Sequence, residues 1–199
     1  MKQLFLNNSI SLISKYNKEL SEMDIEKILY GLEGLYLTFF KLIAIMVLAM
    51  LFGIVREVVA LLLAYNILRF FAFGFHAESS NDCLILSICL FIVLPLGVFK
   101  QIVSVSFAPI ACAFCLVGYW FFAPSDTVKR PLINPKKRLI RKVTSTLLVF
   151  IYMLICIFSD SEMLIKVVFL AVIIEFFMIN PITYKLYNQP YSNYKTYQG

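Results

Sequence analysis

Residues 36–55 read YLTFFKLIAIMVLAMLFGIV, a run of twenty residues with a single charged side chain, Lys41. A helix of this length rises about 30 Å, which matches the hydrocarbon thickness of a membrane. The whole chain agrees, because 61% of its 199 residues are hydrophobic and 15% are charged, whereas soluble domains carry about 25% charged residues. The sequence therefore predicts an integral membrane protein.

Five further apolar runs lie outward from this segment, and each is predicted to be a helix because backbone polar groups in lipid must be paired internally. The predicted spans are 36–55, 58–75, 83–99, 102–123, 143–158 and 163–180. Pro95 and Pro109 are expected to kink the third and fourth spans. Apolar residues at helical steps within 4–20 predict a helix lying on the membrane surface. The predicted fold is an all-α integral membrane protein with six transmembrane helices preceded by an interfacial amphipathic helix.

The distribution of basic residues orients this plan. With six spans both termini lie on one side, and 14 of the 18 Lys and Arg residues fall on that side, against Arg56 and Lys100 on the other. Basic loops remain in the cytoplasm, so the termini, the loop after the second span and the basic loop 124–142 are predicted to be cytoplasmic. These charges also predict contact with anionic lipids. Nucleic-acid binding is not expected, because the charges lie beside the membrane without exposed stacking aromatics among them.

Several kinds of site are excluded. One histidine cannot build a multi-histidine metal site, and no glycine-rich phosphate loop is present, so no metal or cofactor is expected. Five cysteines are an odd number and four lie in apolar runs, which argues against a disulfide framework. Four cysteines are predicted to be small packing groups, namely Cys89, Cys112, Cys115 and Cys156.

The polar turn between the second and third spans holds the candidate chemistry. His76 ends the second span and Cys83 opens the third. Asn81 or Asp82 is expected to cap the third helix, which places Cys83 in its first turn, where the helix dipole favours negative charge. On one straight helix the two side chains would be about 10 Å apart, so a helix-turn-helix hairpin is needed to bring them together. The residues alone leave open two interpretations, a cysteine hydrolase or acyl-transfer site and a pair of packing or snorkelling groups.

Two stretches resemble the accessory gene regulator B (AgrB) family. The first is RFFAFGFHA at residues 69–77, followed by Cys83, and the second is APSDTVKRPL at residues 123–132. With the matching length and six-span plan, the resemblance covers essentially the whole chain. Phe73 departs from the family, which usually has a second glycine before Gly74.

The resemblance implies a membrane cysteine endopeptidase of bacterial peptide quorum sensing. Cys83 would be the nucleophile and His76 its general base. The substrate would be a precursor peptide with an amphipathic start and an acidic C-terminal tail. Its cleavage would proceed through an acyl-thioester on Cys83 and lead to a cyclic thiolactone or lactone. A second copy of the chain is a further candidate partner, in a homodimer.

Other residues are expected to support this chemistry. Arg69 lies within the membrane, so it should be functional, with Glu78 or Asp82 as its partner, and it should either order the turn or contact substrate. Gly74 is part of the same turn. The group that orients His76 is left open among Glu78, Asp82 and Asp126. The basic loop, called the basic segment (124–142) from here on, is predicted to bind the acidic tail of the substrate through Asp126, Lys129, Arg130 and Pro131.

A membrane transporter or exporter of a small peptide or solute is the alternative function. Its pathway residues would be the intramembrane charges Arg69, Lys166 and Glu175. The two halves of the chain show no repeated hydropathy pattern, which argues against this class. A second expectation for Glu175 is a structural pair with Lys41, since both lie at similar predicted depths.

Overall fold

The computed structural model describes residues 2–16, 21–76, 79–102, 104–127 and 131–195, and the regular elements within these ranges are helices. The α-helices are α1 (Lys2–Tyr16), α2 (Glu22–Phe52), α3 (Val55–Ala72), α4 (Ser80–Ile88), α5 (Leu94–Phe99), α6 (Ala108–Phe122), α7 (Pro135–Phe158), α8 (Glu162–Ile179) and α9 (Pro181–Leu186). A π-helical turn, Cys89–Val93, joins α4 to α5, and a 3₁₀ turn covers Asn193–Lys195. The prediction of an all-helical protein is confirmed.

Three helical stretches in the described part of the chain are long and apolar enough to cross a membrane, namely 24–52, 81–99 and 135–158. Helix α6 is apolar but shorter. Helices α3 and α8 are 18 residues long and carry three charged side chains each, which weakens their apolar character. The six-span count therefore stays a prediction.

The chain divides into two compact units, residues 1–48 and residues 49–199. In the first unit the Phe5 and Tyr36 rings lie 5.5 Å apart and Leu6 is buried. Helix α1 lies within the range predicted for the interfacial helix, although its place at a membrane surface stays a prediction.

The second unit is a helical bundle in which α8 contacts α3, α6 and α7. Every residue of α8 from Lys166 to Val172 is buried. The Tyr119 hydroxyl of α6 donates to the Val172 carbonyl at 3.3 Å, and the Tyr152 hydroxyl of α7 donates to the Ala64 carbonyl of α3 at 3.1 Å. Interhelical hydrogen bonds of this kind fix how neighbouring helices are placed.

Two helices begin at other residues than the predicted spans do, since the helix of the fifth span begins before residue 143 and the helix of the fourth span begins after residue 102. Helix α7 begins at Pro135, since the Asn134 side chain accepts hydrogen bonds from the Lys136 and Lys137 backbone N–H groups. The basic residues from position 136 onward are thus helical, and the predicted loop 124–142 ends at Asn134. Pro109 lies in the first turn of α6, where its missing N–H costs no hydrogen bond. Pro95 is the second residue of α5, and Leu94 separates it from the π-helical turn. Proline has no N–H to donate to the preceding turn of an α-helix, which accounts for the irregular turn before it.

Candidate active site

Helices α3 and α4 form a hairpin. It brings His76, which follows α3, and Cys83, which lies near the start of α4, to the same end of the helix pair. The ring of Tyr65 in α3 meets the ring of Phe91, beyond α4, at 4.9 Å, so the chain folds back between them. Helix α3 ends at Ala72 and α4 begins at Ser80. His76 and Cys83 therefore flank one interhelical connection, as the sequence requires. Ala77 and Glu78, within this connection, lie outside the described residues.

The face of α4 that carries Cys83 is packed toward the histidine segment. Cys83, Leu86 and Leu90 follow the i, i+3, i+7 spacing of one helix face. Leu86 and Leu90 pack against a buried cluster that contains Phe75, Met178 and Tyr184. Phe75 directly precedes His76, so the face of α4 that carries Cys83 is directed at the residues that lead into His76.

Local hydrogen bonds define the start of α4. The Ser79 hydroxyl accepts from the Asp82 N–H at 3.2 Å, and the Ser79 carbonyl accepts from the Cys83 N–H at 3.0 Å. The expectation that Asn81 or Asp82 caps the helix is wrong, because the extended backbone of Ser79 makes it the N-cap. Asp82 instead occupies the third helical position, where its charge suits the helix dipole. Cys83 is half-buried in the first turn.

The histidine segment, Phe73–His76, is held by three separate parts of the chain. The Ser125 N–H donates to the Ala72 carbonyl at 2.9 Å, and the Gly74 N–H donates to the Ser125 carbonyl at 2.7 Å, forming a parallel β-bridge. The Phe75 N–H donates to the Met178 carbonyl of α8 at 2.7 Å. The Gln189 side-chain amide donates to the His76 carbonyl at 3.2 Å. These hydrogen bonds hold the backbone that leads to His76. His76 itself is exposed, so its imidazole can reach other groups.

The backbone of this segment turns at two residues with positive φ. Gly74 has a φ of 117°, and a Cβ there would collide with the Arg69 guanidinium and approach the Met178 carbonyl to 2.8 Å. Phe73 has a φ of 61°, in the left-handed region that favours glycine. The position where this chain departs from the resembled family is thus one where a glycine would relieve backbone strain.

Arg69 joins the histidine segment to α8. Its guanidinium donates to the Phe73 carbonyl at 2.7 Å, to the Gly74 carbonyl at 3.2 Å and to the Phe75 carbonyl. The same group lies 3.5 Å from the Glu175 carboxylate of α8. These contacts favour the interpretation in which Arg69 orders the turn.

The expected partners of Arg69 were Glu78 and Asp82. Glu78 lies outside the described residues, and Asp82 is an exposed residue in the first turn of α4. Glu175 was missed as the partner of Arg69, although a carboxylate within an apolar helix is itself a signal of function. Ser125 and Met178 contact the histidine segment through backbone groups, and Gln189 does so through its side-chain amide; the sequence does not predict these contacts.

Asp126 connects the segment after α6 to the C-terminal tail. Its carboxylate is buried and accepts from the backbone N–H groups of Asn193 at 2.8 Å, Tyr194 at 2.8 Å and Leu132 at 3.1 Å. The Tyr184 hydroxyl donates to the Asp126 carbonyl at 3.1 Å. Burial raises the pKa of Tyr184 above its ordinary value, which further favours the neutral hydroxyl that donates this hydrogen bond. These contacts give Asp126 a structural role, although the sequence assigned it to substrate binding.

Of the other predicted substrate-binding residues, only Pro131 is among those that the structure describes. Lys129 and Arg130 lie outside the described residues, and Pro131 is half-buried next to Leu132. Farther along, the Arg138 guanidinium stacks 3.3 Å from the centre of the Tyr194 ring. The Arg141 guanidinium donates to the Phe70 carbonyl at 2.6 Å and lies over the Phe73 ring. Part of the basic segment therefore supports the site through contacts within the chain.

No group of metal-ligating side chains occurs among the described residues. Cys112, Cys115 and Cys156 are buried within the bundle, and Cys89 is exposed on the helical stretch that follows Cys83. Three of the four remaining cysteines thus lie in packed surroundings.

Fold and site together define a helical membrane protein with a histidine and a cysteine flanking one interhelical connection. The family model of accessory gene regulator B matches residues 7–179. An AgrB-like protein of Listeria innocua is 34% identical over 94% of this chain and 92% of its own length. One from Clostridium acetobutylicum is 30% identical over 92% of this chain and 89% of its own length. No solved structure matches the chain.

This chain belongs to the AgrB family, as the two sequence motifs predicted. Family membership supports involvement in the agr quorum-sensing system.

Proposed function

We propose that the protein is a membrane cysteine endopeptidase that cleaves a quorum-sensing precursor peptide, with Cys83 as nucleophile and His76 as general base. One observation carries the proposal. The face of α4 that bears Cys83 packs through Leu86 and Leu90 onto the cluster containing Phe75, the residue before His76. A thiol and an imidazole at the same end of one hairpin are the groups that nucleophilic peptide cleavage needs.

Cleavage begins when His76 takes the proton of the Cys83 thiol. The thiolate attacks the carbonyl carbon of the scissile peptide bond, and the carbonyl electrons move onto its oxygen. When this intermediate collapses, the carbon–nitrogen bond breaks and the leaving amine takes the proton from the His76 imidazolium. The C-terminal part of the precursor is released, and the N-terminal part remains as an acyl-thioester on Cys83.

Ring closure uses the energy of that thioester. A cysteine thiol or serine hydroxyl of the precursor loses its proton to His76 and attacks the thioester carbonyl. The new thiolactone or lactone bond forms as the bond to Cys83 breaks, and the Cys83 thiolate recovers the proton from His76. Water must be kept from competing for the thioester, and a site at the lipid boundary suits this demand.

The proposal predicts that Cys83→Ala and His76→Ala each abolish precursor cleavage. Cys89→Ala is the matched control, because Cys89 is an exposed cysteine on the same helical stretch, and it should cleave at the wild-type rate. Cleavage is measured by mass spectrometry with the full chain in nanodiscs, after each variant is shown to insert. Substantial cleavage by either Cys83→Ala or His76→Ala would refute the assignment.

The substrate we propose is a peptide with an amphipathic start and an acidic C-terminal tail, which the basic segment attracts. Replacing Lys129 and Arg130 by Gln should weaken precursor binding and flatten its dependence on salt, because exposed charges are screened over about 8 Å at physiological salt. Lys185→Gln, an exposed lysine in α9, is the control. Unchanged affinity and salt dependence would show that Lys129 and Arg130 do not bind the tail.

We propose that the chain is multi-pass and that the termini and active site lie at the cytoplasmic face, because of the asymmetry of Lys and Arg. A membrane-impermeant thiol reagent should then modify Cys83 in inverted vesicles but not in intact cells. Equal modification from both sides would contradict this orientation.

A further inference from the structure

Glu175 is a buried carboxylate that the proposed chemistry does not use. Its side chain is 0% exposed, in the C-terminal part of the apolar helix α8. Burying a carboxylate is costly unless a positive group lies beside it. The Arg69 guanidinium supplies that charge at 3.5 Å, and Tyr65, one turn earlier on α3, interacts with both groups.

The Arg69–Glu175 pair is connected to the histidine segment through hydrogen bonds. The guanidinium that faces Glu175 also donates to three successive carbonyls, those of Phe73, Gly74 and Phe75. Met178, one turn after Glu175 on α8, accepts the Phe75 N–H. Helix α8 therefore holds the backbone before His76 at two points, directly through Met178 and indirectly through Glu175.

We infer that Glu175 is a positioning residue for His76 in the proposed reaction. The negative charge of Glu175 keeps the Arg69 guanidinium directed at the carbonyls of the histidine segment. The hydrogen bonds to these carbonyls set where the His76 imidazole lies relative to Cys83. Without this charge, the guanidinium has one fewer group to hold it, and the segment before His76 can shift. This inference rests on the proposed function.

Helix α8 offers a matched control. Glu162 pairs with Lys166 at 2.6 Å at the other end of the helix, and the Glu162 side chain is 62% exposed. Glu175→Gln and Glu162→Gln thus remove the same charge from one helix, once beside Arg69 and once far along the helix from Met178. A general effect of removing charge from α8 would appear in both variants.

The test follows precursor cleavage and the rate at which iodoacetamide alkylates Cys83 between pH 5 and 9, using the full chain in nanodiscs. Glu175→Gln should lower kcat at least about tenfold with less than threefold change in KM, because misplacing a catalytic group affects the chemical step. Its alkylation profile should move toward that of His76→Ala. Glu162→Gln should keep the wild-type kcat and profile, and Glu175→Asp should recover part of both.

The possible results distinguish a failure of the role proposed for Glu175 from a failure of the proposed function. If Glu175→Gln inserts and keeps the wild-type kcat and alkylation profile, Glu175 does not position His76. If Glu175→Gln fails to insert, Arg69→Lys is measured in its place. Lysine keeps a positive charge opposite Glu175 but lacks the guanidinium N–H groups that donate to several carbonyls at once. A wild-type profile in Arg69→Lys overturns the inference, and a profile like that of His76→Ala supports it. If His76→Ala itself cleaves normally and keeps the wild-type profile, the proposed function is the part that fails.

Discussion

The two proposed catalytic residues are held in place in different ways. The backbone around His76 depends on long-range contacts, with Ser125, with Met178 and with Gln189, and Arg69 adds three more hydrogen bonds. The helix start that carries Cys83 is built from its own neighbours, chiefly the Ser79 cap. One side of the site is fixed by tertiary structure and the other largely by local structure.

This difference has a consequence for how the site can be damaged. Changes far away in sequence can displace His76, because the contacts with Ser125, Met178 and Gln189 come from other parts of the chain. Displacing Cys83 requires unwinding the first turn of α4 or moving the whole helix. The histidine side should therefore be the more sensitive of the two.

Among the changes outside the two proposed catalytic residues, the largest effect is expected from Gly74→Ala. The added Cβ would collide with the Arg69 guanidinium and press on the Met178 carbonyl, at a φ of 117°. Precursor cleavage should fall by about a hundredfold or more, since a misplacement of about 1 Å costs that much in rate. Cleavage and thermal stability are measured together for the full chain in nanodiscs.

Gly53→Ala is the control for Gly74→Ala. Gly53 also has a positive φ, 67°, but a Cβ there meets no atom within 4 Å. It should show the cost of backbone strain without a collision, and its cleavage rate should stay within a few fold of wild type. Similar losses in both variants would mean that strain alone explains the effect.

A smaller effect is expected from Asp126→Asn, which removes the charge from the anchor of the C-terminal tail. The three N–H groups of Leu132, Asn193 and Tyr194 would lose a charged acceptor. Stability should fall by about 1–3 kcal/mol. Cleavage should fall several fold with little change in KM, because the tail carries Gln189, which holds the His76 carbonyl.

Asp160→Asn, at an exposed acid between α7 and α8, serves as the control and should change neither stability nor cleavage. A raised KM in Asp126→Asn at unchanged stability would instead support the contact with substrate that the sequence predicts for Asp126.

What the sequence could predict follows the same division. The hairpin, the placement of Cys83 in a first helical turn and the importance of Arg69 all depend on residues within one short stretch. The N-cap of α4 lies two to three residues before the predicted Asn81 or Asp82, because Ser79, Asn81 and Asp82 are all good N-cap residues. The start of α7 lies within the basic stretch that the sequence predicts to be a loop, although Lys and Arg favour helices and Asn134 with Pro135 is a typical helix start.

The rest required three-dimensional contacts. Glu175 is 106 residues from Arg69 along the chain, and a single sequence gives no measure of which distant charges meet. The supports from Ser125 and Met178 are backbone groups, which every residue type possesses, so no side chain reveals them. Gln189 lies in a polar tail without periodicity, where sequence predicted no chemistry.

The smallest effect is expected from Ser79→Ala, which tests the local side of the comparison. Loss of the hydroxyl removes the hydrogen bond from the Asp82 N–H and should cost about 1 kcal/mol. The Ser79 carbonyl, which accepts from the Cys83 N–H, is retained in the variant, so Cys83 should stay helical. Cleavage should fall no more than about threefold, and Ser79→Asp, which keeps a capping oxygen, should restore it.

Both variants are assayed beside Gly74→Ala, with Cys83 alkylation as a second readout. A loss in Ser79→Ala as large as that in Gly74→Ala would show that Cys83 is placed as delicately as His76, and the division into a tertiary side and a local side would be wrong.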